Sequence, residues 1–246
     1  PTLVQKSSSN SAACADIDNN GYTDLLVAGH NGYVYIYKNF SKNDSLILVS
    51  DTSQAFYHLG QSTYGILLED FNQDGWIDVF LAIREHRNRL YLNDGHGGFL
   101  ENYDSDGNDA YSTGCAAADI ENDGDLDIFV ANKKSLSQIY LNPVNRQNFI
   151  KMKLIGIESN RDAVGTKVYL YNGTDSTRKL IGYREVTVNT GYLSSKSPQL
   201  YFGTGNDSTL TAEIIFPSGR QLTRKYLQPG QTYYIYEYGS FLRAVY

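Results

Sequence analysis

Apolar and polar residues alternate along much of this chain with a period of two. The runs YVYIY (33–37), RLYLN (89–93), KVYLY (167–171) and YYIYE (233–237) each put every second side chain on one face. That is the pattern of half-buried strands. Tyrosine is unusually abundant at 21 residues, and its place in these runs favours strands over helices. Polar segments rich in Gly, Asn, Asp and Ser separate the runs and read as turns. The pattern predicts an all-β protein.

One unit recurs. Residues 15–28 read ADIDNNGYTDLLVA, 69–82 read EDFNQDGWIDVFLA and 118–131 read ADIENDGDLDIFVA. Their first acids, Asp16, Asp70 and Asp119, lie 70 − 16 = 54 and 119 − 70 = 49 residues apart. YVYIYKN (33–39), RLYLNDG (89–95) and QIYLN (138–142) follow the three loops, and Asn93-Asp94-Gly95 is a hairpin signal. Each unit reads as a strand rich in small residues, an acidic loop, an apolar strand, a turn and a Tyr-rich strand. In the first unit LILVS (46–50) supplies a fourth strand. A period of this length with three or four antiparallel strands per unit suits β-propeller blades.

The three segments resemble FG-GAP/VCBS repeats, the calcium-loop blades of integrin α-subunit heads and many secreted propellers. The resemblance spans roughly residues 11–142. Related propellers usually have seven blades, so three blades imply an incomplete ring. Its missing neighbours would be lost or upstream, supplied by partner chains, or replaced by head-to-tail stacking of subunits.

The loops share D-x-[DNE]-x-[DN]-G-x-x-D, which offers side-chain oxygens at positions 1, 3, 5 and 9 and a carbonyl at position 7. Calcium takes six to eight oxygens and tolerates irregular geometry, so each loop is a candidate site, for three Ca²⁺ in all. Loop one offers Asp16, Asp18, Asn20 and Asp24, with the Tyr22 carbonyl. Loop two offers Asp70, Asn72, Asp74 and Asp78, with the Trp76 carbonyl. Loop three offers Asp119, Glu121, Asp123 and Asp127, with the Asp125 carbonyl while the Asp125 side chain faces solvent. Gly21, Gly75 and Gly124 hold position 6, where a tight wrap favours positive φ. An EF-hand needs a bidentate Glu at position 12 and flanking helices, but Val27, Leu81 and Val130 stand there. Magnesium fits such an all-protein oxygen cage less well. Turn chemistry alone would also use Asp, Asn and Gly, but not three times in register with an acid at position 9. Three Ca²⁺ would also balance the formal charge of −6.

Past Pro143-Val144-Asn145-Arg146 the pattern changes, which divides the chain into blade repeats over 1–146 and a second β domain over 147–246. FIKMKLIG (149–156), GTKVYLYN (165–172), KLIGYREVTV (179–188), QLYFGTG (199–205), TAEIIFPSG (211–219) and YYIYE (233–237) predict a compact antiparallel sandwich or barrel. NFIKMKLIG, SNRDAVGTKV, GYLSSKSPQLYFGTG and IIFPSGR resemble the ASPIC/UnbV domain over roughly 147–237, with Phe216 where that family usually has Trp. Neither resemblance implies an enzyme.

The remaining chemistry is sparse. An excess of acids over bases disfavours nucleic acid. No apolar run is long enough to span a bilayer, and PTLVQKSSSN at the start lacks a signal-peptide core. Cys14 and Cys115 have no zinc spacing; they are free thiols, linked to other chains, or joined in a disulfide, the slightly favoured option. Asn39, Asn43, Asn172 and Asn206 stand in N-x-[ST] sequons, as in a glycoprotein, at about the number chance would give. His30, His58, His86 and His96 form no metal or catalytic motif. The expectation is therefore a non-enzymatic, secreted or cell-surface calcium protein, acting in adhesion or as a subunit of a filament. Its partners would be other subunits or an extracellular glycan or protein. A lectin-like module is the alternative and a hydrolase a distant third.

Overall fold

The computed structural model describes residues 8–30, 32–42, 45–57, 61–102, 109–144, 147–173, 178–191, 194–239 and 241–244. His58, the Asn43 sequon and Asn145-Arg146 lie outside them. Among the described residues all regular structure is β, and no helix is long and apolar enough to cross a membrane.

Strands β1 (Ser9–Ala15), β2 (Asp24–Gly29), β3 (Tyr33–Asn39) and β4 (Leu48–Tyr57) pair in chain order as the first blade. In the second, β5 (Thr63–Glu69), β6 (Asp78–His86), β7 (Arg89–Asn93) and β8 (Phe99–Asn102) repeat this meander, and β8 is a strand the sequence pattern did not reveal. The third has β9 (Ala110–Ala118), β10 (Asp127–Asn132) and β11 (Gln138–Tyr140). The far end of β6 also pairs with β9, through Arg84↔Tyr111 and His86↔Ala110, so blades two and three share one sheet.

Alternation gives the blades two apolar faces, and blade two packs one of its faces on each neighbour. Ile17, Leu26, Ala28 and Ile36 of blade one pack against Leu68, Val79, Leu81 and Tyr91 of blade two. Leu67, Phe71, Phe80 and Ala82 on the opposite face of blade two pack against Cys115, Ala117, Ile128 and Val130 of blade three. Gly65 is required where β5 meets β9, because a Cβ there would lie 2.6 Å from Cys115 Sγ.

The C-terminal part continues with β12 (Phe149–Ile155), β13 (Lys167–Asn172), β14 (Lys179–Glu185), β15 (Asn189–Gly191) and β16 (Ser194–Ser195). It closes with β17 (Leu200–Gly203), β18 (Leu210–Ile215), β19 (Gln221–Leu227), β20 (Gln231–Tyr236) and β21 (Phe241–Ala244). The sheet β17-β12-β20-β21 and the sheet β14-β13-β18-β19 share a core of Ile150, Met152, Val168, Leu170, Phe202 and Phe216. The expected all-antiparallel sandwich needs one correction: β12 and β20 run parallel. The chain crosses to the other sheet between them, which is what a parallel neighbour requires. A buried carboxylate braces one end. Glu237 accepts N–H bonds from Ile157, Glu158 and Ser159 at 2.6, 2.7 and 2.9 Å, and hydroxyl bonds from Ser159 and Ser218. Burial acts to raise its pKa, but these donors outweigh it and hold the group well below the usual carboxylate range.

A short hairpin, β15–β16, leaves this sandwich and lies against the first strands of the blades. The Cys115 N–H donates to Ser194 Oγ at 3.2 Å, and a Cβ on Gly191 would meet Ser11 Oγ at 2.9 Å. The small residues of β1 and β9 make room for it. The cysteines are both free, so the favoured disulfide is not formed. Cys115 is buried between blades two and three, whereas Cys14 is exposed on blade one, with blade two between them. Burial pushes the Cys115 thiol up to about 12, which keeps it unreactive.

Phe80 is 1 % exposed at the centre of the second inter-blade core. Phe80→Ala is expected to cost about 3–5 kcal/mol of stability in denaturant melts, the usual range for an aromatic cavity.

Candidate metal centre

The three acidic loops fold alike. The first Asp accepts N–H bonds from positions 5 and 6: Asp16 from Asn20 (3.1 Å) and Gly21 (2.9 Å), Asp70 from Asp74 (3.1 Å) and Gly75 (2.8 Å), Asp119 from Asp123 (3.0 Å) and Gly124 (3.2 Å). The wrap places position 4 in the left-handed region, with φ of 52° at Asn19, 59° at Gln73 and 58° at Asn122. Position 6 follows at 87°, 95° and 97°, where glycine is the residue that bears no strain.

The ninth-position Asp closes the loop on the third strand. Asp24 accepts from Ile17 N (2.9 Å) and Asn39 N (2.7 Å). Asp78 accepts from Phe71 N and Asn93 N, both at 2.9 Å. Asp127 accepts from Ile120 N (2.7 Å) and Asn142 N (3.0 Å). In blades two and three the Asn at or just past the end of the third strand then reaches backwards. Asn93 Nδ2 donates to Ile77 O and also to Ile17 O of the preceding blade, at 3.0 and 2.9 Å. Asn142 Nδ2 does the same with Leu126 O and Phe71 O, at 3.2 and 2.8 Å. Position 4 reaches forwards, Asn19 Nδ2 to Gly75 O (3.2 Å) and Gln73 Nε2 to Gly124 O (3.3 Å). The loops are thus cross-linked into a row.

The C-terminal sandwich lies over that row. Gly203 N donates to Asp70 Oδ2 at 2.9 Å, Gly205 N donates to Gln73 O at 3.2 Å, and Lys151 Nζ lies 3.1 Å from Asp119 Oδ2. In loops two and three these donors take Oδ2, the oxygen already shared with the glycine N–H. The Phe149 ring packs so closely on Gly124 that a Cβ there would lie 2.0 Å away.

Burial makes the carboxylates poor neighbours for one another. It pushes Asp16 up to about 6, against the Gly21 N–H bond. Asp24 is pushed up to about 7 by burial, and Asp70 to about 7 by burial and the Asp74 charge. Asp78 stands well above its ordinary value through burial and the Asp70 charge. Such a set is one that a bound cation would stabilise.

The donor set fits calcium best in loop one. Ligand oxygens of Asp16, Asp18 and Asp24 lie within 4.8 Å of one another, and Asp18 Oδ1 is buried without a hydrogen-bond partner. Among the described residues the other two loops bring no three carboxylates that close. In loop two Asn72 Nδ2 donates to Asp74 Oδ2 at 2.8 Å; in loop three Glu121 and Asp123 are exposed. Asp125 is a correction. Instead of facing solvent it is buried, and neither carboxylate oxygen accepts a hydrogen bond. Burial, then the Asp123 and Asp127 charges, raises it to about 7. Phe149 over the adjacent Gly124 covers that side of the loop. Tyr22, at the same position in loop one, is exposed.

Residues 70–130 match the family model for an FG-GAP-like repeat, and residues 156–240 match the model for ASPIC and UnbV. An FG-GAP-like repeat precedes an ASPIC/UnbV domain in this chain. The repeat match covers loops two and three; loop one lies outside it and shows the same hydrogen bonds. Comparison with curated proteins finds no match.

Pattern reading missed Lys151, Asn93, Asn142 and the β15–β16 hairpin. Of these only the two Asn had a signal, since each ends its Tyr-rich run, as Asn39 does. Asn39 also bears on its sequon: its Nδ2 donates to Thr23 O (2.9 Å) and its Oδ1 accepts from Ser41 N (3.0 Å), which engages the amide a glycan would need.

Asn93→Ala leaves two buried carbonyls bare and is expected to cost about 1–3 kcal/mol in chemical melts. The raised carboxyls bind protons more tightly folded than unfolded, so metal-free protein gains stability as pH falls. Its melting temperature in EDTA should rise between pH 7.5 and about 5, and a flat or falling profile would contradict the loop electrostatics.

Proposed function

We propose that this chain is a non-enzymatic, calcium-binding extracellular module for adhesion or assembly. The convergence of Asp16, Asp18 and Asp24 oxygens carries the calcium reading, and the two similar loops extend it to three sites. FG-GAP repeats are typical of extracellular or surface proteins, which supports that localisation. A bound Ca²⁺ would supply positive charge where burial now strains the carboxylates. Asp16, Asp70 and Asp119 would each offer Oδ1, which also accepts the position-5 N–H, their Oδ2 being held by the glycine N–H. Asp24, Asp78 and Asp127 would couple each site to the third strand. Calcium would therefore stiffen the row on which the ASPIC/UnbV sandwich rests.

A cleft of about 350 Å³ between loops one and two and the sandwich favours the glycan-binding alternative. Asp18, Asp74, Trp76 and Asn206 line it, a polar set with one aromatic face, as sugars require.

Millimolar calcium should raise the melting temperature at neutral pH, and EGTA should reverse the gain. Asp24→Asn should reduce the gain, because it weakens one of the three loops. No shift with calcium would refute the metal reading, and a glycan array without hits would remove the alternative.

A further inference from the structure

The described residues hold two finished blade-to-blade interfaces, and they also display both halves of a third. Position by position, residues that are buried between blades reappear exposed at the two ends of the row. At the second loop position Ile17 and Phe71 are buried, at 3 % and 4 % exposure, whereas Ile120 is 51 % exposed. Two residues after the ninth-position Asp, Leu26 and Phe80 are buried while Phe129 is 40 % exposed. Ile36 of β3 is buried, but its counterpart Ile139 of β11 is 58 % exposed. The forward-reaching amides behave alike: Asn19 and Gln73 bond the next loop, and Asn122 stands exposed in loop three.

Blade one shows the opposite face. Leu68 and Ala117 are buried against the preceding blade, while Cys14 at the same place is exposed. Val79 and Leu81, like Ile128 and Val130, are buried; Leu25 and Val27 are only half-buried. Asn93 and Asn142 each reach a carbonyl of the preceding loop, and among the described residues the Asn39 Nδ2 bonds within its own blade, at Thr23 O. At these positions a group the internal interfaces use on one side has its complement on the other, whereas Tyr37, the counterpart of Tyr91, is already buried at 4 % exposure. Blade three ends in Ile120, Phe129 and Ile139, the set that packs against Leu68- and Val79-type positions. Blade one begins with such positions.

We infer that these two faces bind each other between copies of this chain, with blade three of one copy docking on blade one of the next. The contact repeats the chemistry already seen twice inside the molecule, including an Asn39 Nδ2 bond to the Ile120 carbonyl of the neighbour. Two copies would present six blades, within the four to eight at which such rings close. The faces differ from each other, so the contact is heterologous and the pair closes by having two of them. This deepens the assembly half of the proposed function and does not depend on its calcium half.

The test is the mass of the chain in solution, measured by light scattering at tens of micromolar in millimolar calcium. A dimer of twice the 27.5 kDa chain is expected. Phe129→Asp, Ile139→Asp and Val27→Asp should each return it to monomer with the far-UV spectrum unchanged. Phe129 and Ile139 face solvent within one copy, so their substitution leaves the internal cores alone. Mixing Phe129→Asp with Val27→Asp should restore a dimer, because one unaltered pair of faces remains. A wild-type monomer, a dimer that survives both Phe129→Asp and Ile139→Asp, or a mixture that stays monomeric would overturn the inference. A monomer whose melting temperature still rises with calcium would leave the calcium reading standing.

Discussion

The carboxylate at the ninth position of each acidic loop is the contact on which the blade row depends. Asp24, Asp78 and Asp127 each accept one N–H from the start of their own loop and one from the end of the third strand. A loop, the strand after it and the strand beyond are thereby locked by one side chain. Removing such an acceptor leaves buried N–H groups unpaired, which costs more than the bond itself contributes. The same N–H brings the third-strand Asn into place, and in blades two and three that Asn ties the blade to the one before.

This arrangement concentrates negative charge under the C-terminal sandwich, and the sandwich answers with donors. Lys151 reaches Asp119, Lys196 lies 2.9 Å from Glu69, and the Gly203 amide meets Asp70. Arg184, buried over the Phe202 ring, draws the pKa of both Asp16 and Asp70 downward without offsetting their burial. Lys151 and Lys196 each sit with less than a fifth of the side chain exposed, where a charge pair is weakly screened. The two parts of the chain are joined by the loops themselves, so what the loops bind bears directly on how the parts are held together.

Much of this was legible in local pattern. Three register-matched loops, their glycines and the Tyr-rich strands follow from residues a few positions apart, and the strands of the sandwich follow from alternation in the same way. The β8 strand was not legible because FLEN is too short to show a period. The β15–β16 hairpin was missed because NTG and SS carry no apolar alternation at all. Asp125 was misjudged because Phe149, whose ring covers the adjacent Gly124, is distant in sequence.

What the sequence by itself determined is the blade unit: its strands, its wrapped loop and the oxygens that loop can offer. These depend on backbone sterics and on side chains within one unit. Only the tertiary structure decided which copy of a motif is buried and which is left open. Phe80 and Phe129 occupy the same place in the same motif, yet one lies in a core and the other faces solvent. It also decided that Lys151, not solvent, neutralises Asp119 across 32 residues of chain. Packing partners are set by how blades and sandwich stack, and no pattern within a single unit encodes its neighbour.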